Sequence, residues 1–355
     1  MGEKVLMKGN EAIGEAAIRS GCRHFFGYPI TPQTELSAYM AKKMPKIGGT
    51  FLQAESEVAA INMVYGAAAA GMRAMTSSSS PGISLKSEGI SYIAAGDLPA
   101  VIVNIMRGGP GLGGIQPAQS DYFQATKGGG HGDYHLIVLA PNGVQELANL
   151  TADAFNITDK YRIPVMLLGD GTIGQMMEPV DFDDIPKPVR YEKPWAVTGT
   201  NNERSANCVK TLYLTPSELE DKVVERYNRY EIVKEELQRY EAHDTEDADI
   251  IISAYGITSR VAETAVKKLR AEGIKAGIIR PITLWPFPEK IYKQVHPKAF
   301  LAVEMSMGQM VEDIRLACEC RVPVYFTGRT GGIIPTPDEI IAKVKEIAGE
   351  VCPNE

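Results

Sequence analysis

The chain has 355 residues, 44% of them hydrophobic, and a formal net charge of −7 at pH 7. This length predicts about two globular domains, and the composition is ordinary for a protein with sizeable hydrophobic cores. The acidic balance and the lack of a basic cluster argue against nucleic acid and anionic membranes as partners, and no apolar run reaches the roughly 18 residues of a membrane span.

Short apolar runs alternate with helical patterns between residue 4 and about residue 170. The predicted strands are "VLM", "HFFGY", "TFL", "MRAMT", "AVIVNIM", "HLIVLA" and "IPVMLL". Strands rich in valine and isoleucine that alternate with helices indicate a parallel sheet covered by helices on both faces. We therefore predict a first α/β domain over residues 1–175.

The pattern changes after that domain. Residues 176–245 begin with a stretch rich in proline and charge that shows no period, which we interpret as a linker or surface strap. The run "TPSELEDKVVERYNRYEIVKEELQRYEAHD" then predicts one long polar helix, with Thr215 as its N-cap and Pro216 at its first position. Residues 246–352 resume the alternation of strands and helices and predict a second, smaller α/β domain.

Ligands of open parallel sheets bind outside the carboxyl ends of the strands, so the loops that follow the strands are candidate sites. In "GYPITPQTE" we expect Thr31 to cap a helix with Pro32 in its first turn, and that helix start would suit a carboxylate or phosphate oxygen. In "QAESEVAA" Glu57 opens an alanine-rich helix. It is either an acid that the helix dipole favours at a helix N-terminus or a partly desolvated group suited to proton transfer.

Two further loops carry candidate groups. "SSSSPG" predicts a backbone turn just after a strand. This turn is either solvated or a binding surface, because Gly82 has no side chain to keep a flat ring or an anion from the backbone. Arg107 is the lone cation at the start of the glycine-rich loop "RGGPGLGGIQPAQSD". It would either bind a substrate carboxylate in bidentate fashion or form a surface salt bridge.

Metal and cluster sites are not expected on this chain. "LLGDGTIG", followed by Asn201 and Asn202, imitates a signature that holds Mg²⁺-diphosphate in thiamine enzymes, but a proline-rich stretch lies where a helix and a strand should lie. The five cysteines are scattered and odd in number, which favours a reducing cytoplasm over a disulfide framework. The sequence contains no C-x-x-C run, so the chain should hold no iron–sulfur cluster alone.

Three of these segments together resemble a known family. "GYPITPQTE", "ESEVAAINMVYGAAAAGMRAMTSSSSPG" and "RGGPGLGGIQPAQSD", in this order, resemble the α subunit of the 2-oxoacid:ferredoxin oxidoreductases. The resemblance is closest to the branch that acts on 3-methyl-2-oxobutanoate (2-ketoisovalerate), with the 2-oxoglutarate branch next. It covers nearly the whole chain. It implies a thiamine-enzyme pyrimidine-binding domain built on a parallel sheet, followed by a smaller transketolase C-terminal-like α/β domain.

The resemblance also implies roles for single residues. Glu57 matches the family glutamate that shares a proton with N1′ of the cofactor's aminopyrimidine. Thr31 matches a threonine near the carbonyl and carboxylate of the substrate, and Arg107 resembles the arginine that faces this carboxylate. The remaining cofactor-binding positions implied are Pro29, Ile30, Ser79, Pro81 and Gly82.

The activity implied is oxidative decarboxylation of a 2-oxoacid to an acyl-CoA and CO₂ with reduction of ferredoxin. Thiamine diphosphate would be shared with a β subunit that carries the diphosphate-binding domain. Mg²⁺ and iron–sulfur clusters would lie on partner subunits, which include γ and ferredoxin-like δ-type chains. Three alternatives stay open: the α subunit of the 2-oxoglutarate enzyme, a self-contained thiamine decarboxylase with a genuine Gly-Asp-Gly signature, and a non-catalytic assembly subunit.

Overall fold

The computed structural model describes residues 4–352. The strands are β1 (Lys4–Lys8), β2 (His24–Gly27), β3 (Thr50–Gln53), β4 (Ala74–Ser78), β5 (Val101–Met106), β6 (Ile137–Leu139), β7 (Val165–Asp170), β8 (Met177–Asp181), β9 (Tyr240–His243), β10 (Ile250–Ser253), β11 (Ala276–Pro281), β12 (Thr283–Trp285), β13 (Ala299–Glu304) and β14 (Val324–Gly328). They form three sheets within the described residues.

Helices alternate with these strands along most of the chain. They are α1 (Gly9–Arg19), α2 (Thr34–Lys43), α3 (Glu57–Ala69), α4 (Ser80–Ala95), α5 (Tyr122–Thr126), α6 (Val144–Tyr161), α7 (Gly171–Gln175), α8 (Pro216–Glu236), α9 (Ile257–Ala271), α10 (Glu289–Gln294), α11 (Met310–Ala317) and α12 (Pro337–Val351), with a short 3₁₀ helix at Met44–Ile47. None of the helices within residues 4–352 is long and apolar enough to cross a membrane.

The largest sheet confirms the predicted parallel α/β architecture. Its strand order is β12-β6-β7-β5-β4-β2-β3, and every pair from β6 to β3 is parallel. All residues of β5 and β7 are buried, which explains why these strands are continuous apolar runs rather than alternating ones. The predicted strand "VLM" exists as β1, but it pairs antiparallel with β8 in a separate two-stranded sheet.

The second sheet has the order β14-β13-β10-β11-β9 and is parallel except for β9. The predicted polar helix begins as expected, with Thr215 at the N-cap position and Pro216 in the first turn. Its predicted end is wrong, because the helix stops at Glu236 and β9 follows. That short strand pairs antiparallel with β11, so a partner far along the chain decides its conformation.

The segment between the two larger sheets is irregular over most of its length, as the lack of periodicity predicted, although its first residues form β8. In the predicted second α/β domain, the apolar run "IKAGIIRPITLW" forms two strands. Its first half, β11, lies in the five-stranded sheet, whereas β12 turns away and pairs antiparallel with β6 at the edge of the seven-stranded sheet. The later part of the chain therefore completes the first sheet.

Two buried polar side chains connect the two larger sheets. Gln119 donates from Nε2 to the Tyr255 carbonyl at 2.7 Å, and its Oε1 accepts from the Met305 N–H at 3.0 Å. Asp170 Oδ2 accepts from the Ile257 N–H at 2.9 Å, which holds the start of α9 against the end of β7. Each group satisfies backbone atoms that would otherwise be buried without a partner.

Asp170 has a structural role. Its Oδ1 accepts from the N–H groups of Thr172 and Ile173 at 3.0 and 3.1 Å, so both carboxylate oxygens are occupied by backbone donors. Burial raises the pKa of this carboxyl, and the hydrogen bonds from the three N–H groups oppose that shift. The Gly-Asp-Gly sequence is thus the cap of a short helix, α7, that fastens α9 to the first sheet.

Candidate active site

The candidate residues converge because their strands are neighbours. In the seven-stranded sheet β5, β4, β2 and β3 lie side by side, and the pairs are parallel. Their carboxyl ends therefore open on one edge. That edge carries Arg107 after β5, Ser79 after β4, the loop with Thr31 after β2 and Glu57 after β3.

The loop after β2 differs from its predicted form. Thr31 is not an N-cap and Pro32 is not in a helical turn, because α2 begins at Thr34 with Gln33 at the cap position. The Gln33 N–H donates to the Ile30 carbonyl at 3.2 Å, which closes a turn, and the Thr31–Pro32 peptide bond is cis. Thr31 and Pro29 are exposed, so these two predicted binding positions are accessible at the sheet edge.

Side chains from α1, from α7 and from the residue after β5 hold this loop through hydrogen bonds to its backbone. The Pro32 carbonyl accepts hydrogen bonds at 2.8 Å from Asn10 Nδ2 and from Gln175 Nε2. The Thr31 carbonyl accepts from Arg107 Nη1 at 3.0 Å. Thr31 and Arg107, which were predicted to bind the same carboxylate, are therefore in direct contact.

Glu57 is the first residue of α3, as predicted. Ser56 caps this helix, and its hydroxyl accepts from the Ala59 N–H at 3.2 Å. Glu57 is only 6% exposed, whereas Glu55 two residues earlier is exposed. Its carboxyl is therefore largely removed from water, as the alternative of a partly desolvated group requires, and it also lies in the first turn of α3, where the helix dipole favours an acid.

Gly82 lies directly against the carboxyl of Glu57. A Cβ atom built on Gly82 would stand 2.8 Å from Glu57 Oε1 and 2.1 Å from Ser78 Oγ, both closer than real contacts allow. Glycine at this position therefore lets the backbone of one helix approach the acid at the start of another.

The serine-rich segment is a helix start and not the predicted turn. α4 begins at Ser80, with Pro81 in its first turn, where proline lacks only an N–H that has no helical partner. The serines are buried, so the solvated alternative is also wrong. The hydroxyls of Ser78 and Ser79 have no hydrogen-bond partner among the described residues. They are available to a ligand at the sheet edge.

Arg107 is buried, with 7% exposure, so it is not the surface ion pair that was one alternative. Its backbone N–H donates to Ser80 Oγ at 3.0 Å, and its guanidinium donates to the carbonyls of Thr31 and Leu112 at 3.0 and 3.1 Å. The Nε atom is buried without a partner, and no carboxylate among residues 4–352 forms an ion pair with it. A buried cation with an unused donor is suited to an anionic ligand.

Sequence reasoning missed two titratable groups beside these residues, the half-buried Asp121 and the buried Lys86. Asp121 accepts hydrogen bonds from Ser80 Oγ at 2.6 Å and from Asn104 Nδ2 at 2.9 Å, and burial raises the pKa of its carboxyl. Lys86 is fully buried in α4. Its only signal in the sequence is its spacing in "PGISLKSEGI", four residues after Gly82 and three before Gly89.

Family models match most of the chain. The model described as "Pyruvate flavodoxin/ferredoxin oxidoreductase, thiamine diP-bdg" matches residues 15–255, and "Pyruvate:ferredoxin oxidoreductase core domain II" matches residues 248–340. The chain belongs to the 2-oxoacid:ferredoxin oxidoreductase family. It is a subunit of an oxidoreductase that acts on 2-oxoacids with an iron–sulfur protein as electron acceptor.

Curated members of the 2-oxoacid:ferredoxin oxidoreductase family align over almost their full lengths. The ketoisovalerate oxidoreductase subunit VorB of Methanothermobacter marburgensis is 51% identical over 347 residues, which is 97% of this chain and 98% of the relative. The 2-oxoglutarate synthase subunit KorA of Methanocaldococcus jannaschii is 36% identical over 94% of this chain and 97% of the relative.

Solved structures agree with this family. The 2-oxoglutarate:ferredoxin oxidoreductase of Magnetococcus marinus, solved with 2-oxoglutarate, coenzyme A and succinyl-CoA bound, is 31% identical with a TM-score of 0.88. The match covers 97% of this chain and 65% of that longer chain. A split-gene transketolase, at 16% identity and a TM-score of 0.60 over 98% of both chains, shares the fold alone.

The residues at the sheet edge fit the pyrimidine end of thiamine diphosphate. That ring is flat and carries nitrogen atoms that exchange protons, so it needs a carboxyl group, a bare stretch of backbone and polar groups without other partners. Glu57, Gly82 and the hydroxyls of Ser78 and Ser79 provide these features. The thiamine-diphosphate-binding assignment of the 2-oxoacid:ferredoxin oxidoreductase family model therefore agrees with the geometry.

Proposed function

We propose that this chain is the α subunit of a complex that oxidises 3-methyl-2-oxobutanoate, a branched-chain 2-oxoacid. The complex would convert the oxoacid and CoA to an acyl-CoA and CO₂, and the two electrons released would reduce ferredoxin. The substrate assignment is supported by the higher identity to a ketoisovalerate oxidoreductase subunit, 51%, than to a 2-oxoglutarate synthase subunit, 36%.

The observation that carries a catalytic role for this chain is the buried carboxyl of Glu57 against the bare backbone of Gly82. Thiamine diphosphate, when bound, supplies the nucleophilic carbon that reacts with the oxo group of the acid. Glu57 exchanges a proton with the aminopyrimidine and so acts as the acid and base at that ring. Pro29, Ile30, Ser79 and Pro81 complete the surface against which the ring lies.

Arg107 and Thr31 bind the oxoacid. The guanidinium of Arg107 has an unused Nε donor and no carboxylate partner among the described residues, so it holds the substrate carboxylate. Thr31, whose carbonyl is hydrogen-bonded to the same guanidinium, offers its hydroxyl beside that carboxylate. Together they would orient the oxo group toward the cofactor.

The rest of the active site is assigned to partner subunits. A β subunit would bind the diphosphate and Mg²⁺, since both oxygens of Asp170 already accept from backbone N–H groups here. γ and ferredoxin-like δ-type subunits, with the β subunit, would hold the iron–sulfur clusters. Each of the five cysteines is a free thiol, which supports a reducing cytoplasmic location for the complex.

The test is to purify the tagged chain, identify the proteins that co-purify, and assay the complex with CoA and ferredoxin. We expect the kcat/KM to be highest for 3-methyl-2-oxobutanoate. A higher value for 2-oxoglutarate would favour the 2-oxoglutarate branch, and decarboxylation by the chain alone would favour a self-contained enzyme. Full activity of the Glu57→Gln complex would make this chain an assembly subunit.

A further inference from the structure

Helices α3 and α4 pack against each other through small residues on one face of α4. Gly82 faces Glu57, and a Cβ built on Gly89 would stand 2.3 Å from Ile61 Cγ2. Lys86 lies four residues after Gly82 and three before Gly89, so it occupies the same face of α4. The helix contact thus places a lysine one turn from the glycine that touches Glu57.

The amino group of Lys86 is directed toward the sheet edge. Side chains on a helix lean toward its N-terminus, and Lys86 Nζ donates to Thr76 Oγ1 at 2.7 Å and to the Ser77 carbonyl at 2.9 Å, near the end of β4. The residue has no exposed surface. These two acceptors match the two N–H bonds of a neutral amine, whereas an ammonium group has three donors.

Glu57 is the acid on the face of α4 that carries Lys86, because its carboxyl and Ser78 Oγ both lie against Gly82 and Lys86 Nζ binds the carbonyl of the neighbouring Ser77. β4 and β5, which lie beneath α4, carry no titratable side chain, and α3 contributes Glu57 and the phenol of Tyr65. A second acid, Asp121, is hydrogen-bonded to Ser80 Oγ at the start of α4. Burial lowers the pKa of Lys86 to about 7, and the Glu57 carboxylate opposes this shift. Lys86 therefore changes charge near neutral pH beside the carboxyl that we assign to proton exchange.

We propose that Lys86 is a positioning residue for Glu57: the amino group held at the end of β4 and the carboxyl held against Gly82 form one buried electrostatic pair at the contact between α3 and α4. The linkage tested is the effect of the Glu57 charge on the proton affinity of Lys86. The catalytic consequence rests on the proposed function of Glu57, whereas the linkage itself does not.

The linkage is tested on the full chain by NMR of isotopically labelled lysine side chains between pH 5 and 10. The Lys86 signal is assigned by its loss in Lys86→Met, or in Lys86→Gln if the methionine variant does not fold. In Glu57→Gln, the midpoint of the Lys86 titration should fall by roughly one pH unit or more, as expected for two close charges at an effective dielectric constant of about 20. Glu55→Gln is the matched control and should leave the midpoint unchanged.

The catalytic consequence is tested on the assembled complex through proton–deuterium exchange at C2 of the bound cofactor. We expect the pH profile of exchange to move in Lys86→Met and to stay in place in Lys267→Met, which removes an exposed lysine on α9. A role in packing alone would lower the exchange rate without moving the profile.

A negative result in each of the two measurements would overturn a different proposal. An unmoved Lys86 midpoint in Glu57→Gln overturns the inference while the proposed function stands. Exchange that is absent from the wild-type complex overturns the proposed function, and the NMR titration, which needs no cofactor, still decides the linkage.

Discussion

Glu57 and Glu55 differ sharply in environment although only Ser56 separates them. Glu57 is buried against Gly82, whereas Glu55 is exposed. Glutamine keeps the size of glutamate but cannot exchange a proton. Glu57→Gln should therefore slow exchange at C2 of the bound cofactor by about two to four orders of magnitude, the usual range for general acid–base catalysis.

Glu55→Gln is the control for this substitution and should have little effect. Exchange is measured on the assembled complex before any oxoacid is added, so that substrate binding does not contribute. If Glu55→Gln stopped the exchange and Glu57→Gln did not, the assignment of the catalytic role to Glu57 would fail.

Arg107 joins two loops through its guanidinium and keeps a positive charge at the sheet edge. Arg107→Ala should raise the KM for the oxoacid about ten- to a hundredfold, because a charge-assisted hydrogen bond contributes roughly 1.5–3 kcal/mol. The affinity for the cofactor, measured by calorimetry, should change little.

Arg107→Lys separates charge from geometry. A lysine keeps the positive charge but lacks the planar fork that reaches the carbonyls of Thr31 and Leu112, so its KM should lie between those of wild type and Arg107→Ala. An unchanged KM with loss of cofactor binding would reassign Arg107 from substrate to cofactor.

The contact between α3 and α4 depends on the absence of side chains on α4. In Gly82→Ala the new methyl group would overlap Glu57 Oε1 and Ser78 Oγ, which are the ends of flexible side chains. The fold should therefore survive while the carboxyl moves, and cofactor C2 exchange should fall at least about tenfold because proton transfer depends on position.

Gly66→Ala is the matched control, since a Cβ on Gly66 meets nothing within 4 Å. This exposed position in α3 should gain about 0.5–1 kcal/mol in the free energy of unfolding, and exchange should remain at the wild-type rate. Equal exchange in both alanine variants would show that Gly82 does not position Glu57.

Sequence patterns predicted the long elements of this fold better than the short ones. Buried strands such as β5 and β7 can be predicted because their sequences are almost continuously apolar. The sequence pattern predicts neither β9 as a strand nor the division between β11 and β12, because β9 and β12 are strands of three or four residues whose partners lie far away along the chain. The segment "SSSSPG" predicts a turn where α4 begins at Ser80, since serine, proline and glycine favour turns and first helical turns alike.

In the candidate site too, the sequence predicted the groups in the loops but not the group whose environment depends on tertiary packing. Glu57, Thr31 and Arg107 were predicted from loops at strand ends and from a family resemblance, and the structure brings Thr31 and Arg107 into contact. Lys86 was missed because a lysine in a helix is normally exposed, and only the packing of α4 on α3 and β4 removes it from water.

For the whole molecule, Lys86 should make stability depend on pH. Its pKa is about 7 in the folded chain against an ordinary value of 10.5, so between these values the unfolded chain binds more protons. The free energy of unfolding contributed by Lys86 therefore rises with pH across this window, and the destabilising effect of the buried charge is complete below about pH 7.

Lys86→Met removes this dependence. The stability of wild type relative to Lys86→Met should increase as the pH rises from about 7 to about 10, as measured by urea unfolding at several pH values. If the difference in the free energy of unfolding between wild type and Lys86→Met stayed constant over this pH range, Lys86 would not titrate there. Lys267→Met provides the control for loss of a solvated lysine.

The pairing of β12 with β6 has a consequence for how the chain is made. Until residues 283–285 emerge from the ribosome, β6 is an open sheet edge whose unpaired N–H and C=O groups can recruit a strand from another chain. A fragment that ends at residue 255 keeps this edge permanently open, so we expect light scattering to show that it self-associates while the full chain does not. We therefore expect the C-terminal half to protect the N-terminal half from aggregation, because it supplies the strand that covers the β6 edge.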